Sequence, residues 1–253
     1  MTIAGKSILI TGASRGIGEA TARYFASQGA NTVMLARSAK ALEKIEADIT
    51  SAGGKALALV SDVANYEAME NAVQACVDTF GGLDILVNNA ALIEPIAHLA
   101  DSDPEAWGHV VDVNVKGVYH GMRAAIPAML AGSGGSIINI SSGAATSALE
   151  GWSHYCCTKA AVLSLTQCGH TEYCDRGIRV VGLSPGTVAT EMQTVIRQSG
   201  INPVSQLDPS VHIPPQWVAK AIAFLCGEGG APYAGTDFSL KSEKSRQLIG
   251  LVS

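Results

Sequence analysis

Short aliphatic and β-branched runs alternate with longer stretches of helical period along most of the chain, and this alternation narrows the possible folds more than any other feature. Runs at Ser7–Thr11, Thr32–Ala36, Lys55–Val60, Ile85–Val87, Ser136–Ile140 and Arg179–Leu183 read as strands. Between them the spacing of apolar residues predicts helices over Ile17–Gln28, Ala39–Ala52, Tyr66–Phe80, Pro104–Leu130 and Ser153–Cys174, with a later helix opening at Pro214-Pro215 and running through Phe224. Asp103-Pro104 supplies a capping side chain followed by proline at the first helical position. The strands are apolar runs rather than polar-apolar alternations, as expected of strands covered on both faces. Parallel neighbours need a crossover, so strict strand-helix alternation predicts an α/β doubly wound parallel sheet with helices on both faces. With 253 residues the chain suits one large domain of this kind, and two independent cores would be cramped.

Charge and composition remove several classes of partner. A hydrophobic share of 47% against 15% charged residues fits a packed globule. The net charge of -5 leaves no cationic face for a phosphate backbone or an anionic leaflet, so neither nucleic acid nor membrane is expected as a partner. No signal-peptide core is recognisable in Met1–Ile10, and no apolar run reaches membrane-spanning length. Cys76, Cys156, Cys157, Cys168, Cys174 and Cys226 form no CxxC pair, and the histidines form no HxxxH or HExxH pattern. These observations predict reduced thiols in a cytoplasmic protein, no metal site, and small buried thiols at Cys156 and Cys157.

In a doubly wound sheet, ligands bind outside the carboxyl ends of the strands, and the polar signals fall there. After the first strand comes Thr11-Gly12-Ala13-Ser14-Arg15-Gly16-Ile17-Gly18, leading into a helix. Glycines allow a tight turn and close backbone approach, and a helix N-terminus favours negative charge, so the segment suits a dinucleotide pyrophosphate. Tyr155 and Lys159 stand one helical turn apart on one face, which brings an ammonium beside a phenol. Lowering a phenol pKa from about 10 to near neutrality takes about 4 kcal/mol of preferential phenolate stabilisation, and a nearby cation is the natural source.

In these motifs the chain resembles the short-chain dehydrogenase/reductase family over about Ser7 to Cys226. The family's TGxxxGxG is met by Thr11, Gly12, Gly16 and Gly18, and its NNAG by Asn88-Asn89-Ala90 with Ala91 in place of glycine. The resemblance implies a single Rossmann-like domain in which the glycine turn, Asp62-Val63 after the third strand, Asn89 and Ala90, and Pro185-Gly186-Thr187-Val188 with Thr190 line a nicotinamide cofactor. It also implies a catalytic set of Asn114, Ser142, Tyr155 and Lys159. Ser142 would bond the carbonyl oxygen, Tyr155 would exchange the proton, Lys159 would hold the ribose and favour phenolate, and Asn114 would anchor a water leading to the lysine. A homo-oligomer, tetramer or dimer, would form through the helices carrying Asn114 and Tyr155.

Cofactor choice can be read from charge. An acid about twenty residues beyond the glycines binds the ribose hydroxyl of NAD, whereas arginine suits the extra phosphate of NADP. No Asp or Glu occurs between Glu19 and Glu43; Arg37-Ser38 follows the second strand, and Arg15 lies in the glycine turn. The expectation is NADP(H), with Ser14, Arg15, Ile17, Arg37 and Ser38 in its site.

The stretch 189–213 corresponds to the family's variable substrate loop. Met192, Val195, Ile196, Ile201 and Val204 with few charges suit a small uncharged ketone, aldehyde or alcohol, and equally suit packing of the loop onto the domain. Gly235–Leu240 reads as a last strand. The tail from Lys241 could cover the site, cross to a neighbouring subunit or fray. Two other readings stay open: a catalytically silent NADP sensor on the same fold, and a sugar-nucleotide epimerase, which would ordinarily need a further substrate domain.

Overall fold

The computed structural model describes residues 3–252. Among them seven strands form one parallel sheet: β1 (Ser7–Thr11), β2 (Asn31–Ala36), β3 (Lys55–Val60), β4 (Ile85–Asn88), β5 (Gly135–Ile140), β6 (Ile178–Ser184) and β7 (Asp237–Ser239). Their order is β3-β2-β1-β4-β5-β6-β7, so the chain reverses its direction of travel across the sheet between β1 and β4. That switch point opens a crevice at the carboxyl ends of the strands.

Two apolar layers hold the sheet between helices. On one face Phe25 of α1 (Gly16–Ser27), Leu42 of α2 (Ala39–Ser51) and Ile222 of α8 (Pro215–Cys226) pack on Ile8, Ile10 and Leu183. On the other, Met69 of α3 (Tyr66–Phe80), Met122 of α5 (Gly117–Ala131) and Val162 of α6 (Ser153–Tyr173) pack on Leu9, Leu86 and Ile137. Each such side chain, fully buried, contributes roughly 1.5–3 kcal/mol. β3 departs from the expectation of strands covered on both faces. It is an edge strand whose residues are half-buried or exposed, because only β2 flanks it.

The cap read at Asp103 forms as expected, and the structure adds one at Asn65. Asp103 accepts the N–H of Ala106 at 2.7 Å ahead of α4 (Pro104–Val111), and Asn65 accepts that of Ala68 at 3.2 Å ahead of α3. The single helix expected over Pro104–Leu130 is interrupted by a π-helical turn at Asp112–Lys116, which joins α4 to α5 and contains Asn114. Such turns widen a helix locally and recur at functional sites.

The stretch 189–213 is not an open loop. Its ends are stitched by Ala189 N–H to Ile213 O at 2.9 Å and Ile213 N–H to Thr187 O at 3.0 Å, and between them lies α7 (Glu191–Ser199). The tail folds back onto its own domain. In α9 (Glu243–Leu248) the Arg246 guanidinium donates to Leu240 O at 2.8 Å and lies over the Trp217 ring, while Ile249 and Leu251 pack on the core.

No helix among the described residues is long and apolar enough to cross a membrane. Cys157 is exposed and Cys156 half-buried, correcting the expectation of two buried thiols. The face of α6 that carries Tyr155 and Lys159 inward turns Cys157 out.

Candidate active site

β1 and β4 are neighbours, so the turns that follow them are laced together. The Thr11 hydroxyl accepts the N–H groups of Asn89 at 3.0 Å and Ala90 at 3.1 Å. The Asn89 side-chain amide donates back to the carbonyls of Thr11 at 2.9 Å and Gly12 at 3.2 Å. Gly12 and Gly16 both adopt positive φ, at 64° and 58°, which L side chains resist. Gly18, one turn into α1, lies so close to the Gly12 carbonyl that a β-carbon there would collide with it. The expected pyrophosphate turn is therefore a rigid feature, held by Asn89 from beneath.

Beside it runs a cleft of about 1010 Å³. Its walls bring together Gly12, Ser14, Arg15, Gly16, Ile17, Arg37, Ser38, Asp62, Val63, Asn89, Ala90, Tyr155, Lys159 and Thr190. Pro185, Gly186 and Val188 form the backbone path from β6 to Thr190, with Val188 bridged to Ile213. Both arginines meet acids at the cleft: Arg15 is ion-paired with Glu191 at the start of α7, and Arg37 lies 3.8 Å from Asp62. All four side chains are at least one-third exposed, so these pairs are weak and exchangeable.

Tyr155 and Lys159 lie on the inner face of α6. The Lys159 ammonium donates to Ile140 O at 2.6 Å and sits 5.5 Å from the centroid of the Tyr155 ring. Ser142 caps the turn after β5, accepting the Ala144 N–H at 3.2 Å, and its hydroxyl also bonds the Tyr155 phenol. Asn114 is joined to this group indirectly. It clasps Leu92 through both backbone groups, at 2.8 and 2.9 Å, and donates to the Thr158 hydroxyl on α6 at 3.2 Å.

Burial governs the titration of both inner groups. It pushes the Tyr155 phenol up to about 12, with the Ser142 hydrogen bond pulling the other way. It drives Lys159 down to about 8 against the pull of Asp237. The protein's own groups therefore hold the phenol above its ordinary value rather than below it. Desolvation outweighs other influences, and the ammonium is committed to a backbone carbonyl.

Three further residues belong to this neighbourhood although the sequence reading did not assign them to it. Asp237 on β7 accepts from the Ser184 hydroxyl at 2.5 Å; burial raises its carboxyl, while Ser184, Ser141 and Lys159 hold it down. A β-carbon on Gly182 would lie 2.8 Å from its Oδ1, so glycine on β6 makes room for the carboxylate. His154 is fully buried and bonds Ile93 O at 2.6 Å, fastening the segment after β4 to α6. Trp152 packs edge-on against Tyr155 inside an apolar cluster with Ile93, Ala144 and Ile196.

A family model described as short chain dehydrogenase matches residues 6–200. The chain belongs to the short-chain dehydrogenase family. It is 33% identical over 236 residues to the cyclohexanol dehydrogenase of Acinetobacter sp. (strain SE19), covering 92% of each chain. It is 34% identical over 244 residues to the 2,5-dichloro-2,5-cyclohexadiene-1,4-diol dehydrogenase LinX of Sphingobium indicum, covering 94% of this chain and 95% of that one. Among solved structures it is similar to NAD+-bound xylitol dehydrogenase, with TM-score 0.87, 27% identity and 95% and 99% of the two chains covered. It is also similar to a short-chain type dehydrogenase/reductase from Mycobacterium marinum, with TM-score 0.86, 31% identity and 94% of each chain covered. As a short-chain dehydrogenase it belongs to a family of nicotinamide-dependent oxidoreductases.

Proposed function

We propose that this short-chain dehydrogenase uses NADP(H) to interconvert a small uncharged ketone or aldehyde and the corresponding alcohol, with Tyr155 as the acid/base. The observation that carries this reading is the Tyr155 phenol bonded by Ser142, backed by Lys159, and set in the wall of the cleft that starts at the glycine turn. When bound, the cofactor supplies the hydride and, in its oxidised form, a positive charge.

The chain's own residues supply the rest. Burial keeps Tyr155 a neutral phenol at physiological pH, which is the form that donates a proton to a carbonyl oxygen as negative charge develops on it. Ser142 offers the second hydrogen bond to that oxygen. Lys159 stands where an ammonium favours the phenolate left behind. Asn114 and His154 act at a distance, fixing Leu92 and Ile93 against α6 so that the wall facing Tyr155 does not move.

Two features favour the phosphorylated cofactor. No acid lies between Glu19 and Glu43 to take a ribose hydroxyl, and Arg15 and Arg37 both line the cleft. Their partners Glu191 and Asp62 are exposed carboxylates that a phosphate can displace. The apolar residues around Tyr155, Ile93, Met192, Val195 and Ile196, favour an uncharged substrate. The relatives named for cyclohexanol and a cyclohexadiene diol make alicyclic alcohols the first compounds to try.

We also place the enzyme in the cytoplasm as a homodimer or homotetramer. From Cys157 to Thr171 the exposed positions of α6 carry no charge, the first exposed charge being Glu172 near its end, which suits a face paired with a second copy.

Following NADPH and NADH absorbance separately with a panel of alicyclic ketones tests this reading. Oxidation that prefers NADPH supports it. Tight cofactor binding without turnover of any ketone would favour a sensor, and preference for NADH would assign Arg15 and Arg37 another role.

A further inference from the structure

Four carboxylates line the cleft: Glu19, Asp62, Glu94 and Glu191. Three of them are answered by arginines. Glu19 pairs with Arg23 at 2.9 Å, Asp62 lies 3.8 Å from Arg37, and Glu191 meets Arg15. Glu94 differs: it is exposed, and its side chain makes neither an ion pair nor a hydrogen bond among the described residues. The lysine of the cleft is spent elsewhere, since Lys159 is buried and donates to Ile140 O.

The backbone that carries Glu94 is anchored beside Tyr155. Just before it, Ile93 O is bonded at 2.6 Å by the ring of His154, the residue that precedes Tyr155 on α6. Just beyond it, the Ala97 N–H donates to Gly151 O at 3.1 Å. Ile93 and Ile96 pack into the apolar cluster that holds Tyr155, Met192 and Val195. The three arginines that answer the other acids come from α1, its glycine turn and the end of β2. Those pairs therefore belong to the end of the cleft suited to the cofactor, and Glu94 to the end where the reacting carbon would sit. An unpaired carboxylate is thus presented from a fixed place on the wall near the proposed proton donor.

We infer that Glu94 determines substrate specificity: its carboxylate accepts a hydrogen bond from a hydroxyl that the substrate carries apart from the reacting C–O group, and it repels substrates that bear a carboxylate. This rests on Tyr155 acting as the acid/base, and it narrows the small uncharged substrate to a hydroxyketone or the matching diol. Tyr155 and Ser142 take the reacting oxygen, Ile93, Met192 and Val195 take the carbon skeleton, and Glu94 takes the far hydroxyl. A hydrogen bond to an ionised acceptor is stronger than one between neutral groups, so a substrate with that hydroxyl gains over one of the same shape without it. A keto acid in the same pose brings a second negative charge towards a carboxylate that no cation neutralises, at a cost that salt reduces.

The test compares 3- and 4-hydroxycyclohexanone with cyclohexanone, with the methylcyclohexanones that match them in shape, and with 4-oxocyclohexanecarboxylate. Reduction is followed with NADPH and with NADH in wild type, Glu94→Ala and Glu94→Gln; the side chain is exposed and unpartnered, so both variants should fold. Expected in wild type is a kcat/KM for one hydroxyketone about five- to fiftyfold above its methyl counterpart, lost in Glu94→Ala while cyclohexanone changes little. The keto acid should be the poorest substrate of wild type and gain about three- to tenfold in Glu94→Gln at low salt. Equal rates for hydroxyketone and methylketone in wild type would overturn the inference, as would a hydroxyl advantage that survives in Glu94→Ala or a parallel loss on every ketone. Failure of wild type to reduce even cyclohexanone with either cofactor is a different result: it would overturn the hydride-transfer reading, and this inference with it.

Discussion

Lys159 donates its ammonium to the carbonyl oxygen of Ile140 at 2.6 Å, so the end of β5 pins the lysine alongside the Tyr155 ring. A buried ammonium held in this way has a measurable cost. Its pKa falls to about 8, whereas in the unfolded chain it stays near the ordinary lysine value of about 10.4. Between those limits the unfolded chain binds more protons, so stability rises with pH. Buried Cys76 and Cys226, pushed up to about 12, act in the opposite sense as unfolded thiols ionise around their ordinary value, and this contribution cancels when wild type is compared with a Lys159 variant.

The lysine contribution is therefore read as a difference between wild type and a Lys159 variant, from pH 8 to 9. Over that range, denaturant unfolding of the cofactor-free protein is expected to show wild type gaining on Lys159→Met by up to about 1.4 kcal/mol per pH unit. A flat difference would mean that the folded lysine keeps its proton.

Asp237 supplies the opposing pull on Lys159, and its removal should appear in the pH profile of ketone reduction. In Asp237→Asn the lysine loses a favourable charge, its pKa drops further, and the alkaline limb moves to lower pH. Activity near pH 6 should change little, and Asp237→Glu should restore part of the limb. A uniform loss at all pH values would assign Asp237 to packing alone.

Most of the sheet was legible because its information is local. Each strand is a short apolar run and each long helix has its own period, with a local cap signal at Asp103. The two edges were read less well, since β3 has an apolar sequence but only one neighbour, a fact of topology rather than composition. α7 is hard to see in the sequence: Met192, Val195 and Ile196 show helical spacing, but nine residues are too few to stand out from a variable segment. The π turn at Asn114 was invisible because its sequence is helical. Asp237 and Trp152 were missed for another reason: their significance lies in what surrounds them across the sheet or along one helical turn, and an aspartate in the run Gly235–Leu240 looks like an edge-strand charge until Gly182 and Ser184 are placed beside it.

The Arg15–Glu191 pair across the cleft should compete with cofactor phosphate. Glu191→Gln is expected to tighten NADPH binding by about two- to fivefold at low ionic strength, fading at high salt. Arg37→Ala should weaken NADPH by roughly ten- to a hundredfold and NADH far less, measured by fluorescence titration. Equal losses for both cofactors would mean that Arg37 does not meet the phosphate that distinguishes them.

Gly18→Ala tests the glycine turn directly. The added methyl meets the Gly12 carbonyl, so the turn must open. About 1–3 kcal/mol of stability should be lost, with cofactor affinity falling further than stability, as read by thermal melts with and without NADPH. Unchanged affinity would separate this turn from the cofactor site.

The most direct measurement is NADPH-linked reduction of an alicyclic ketone by wild type and Tyr155→Phe, with cofactor affinity determined for both. Phenylalanine keeps the ring against Trp152 and removes only the hydroxyl that Ser142 bonds. The expected result is a fall in kcat of about a hundredfold or more with NADPH affinity nearly unchanged. A variant that reduces the ketone at close to the wild-type rate would contradict Tyr155 as the proton donor, and with it the proposed mechanism.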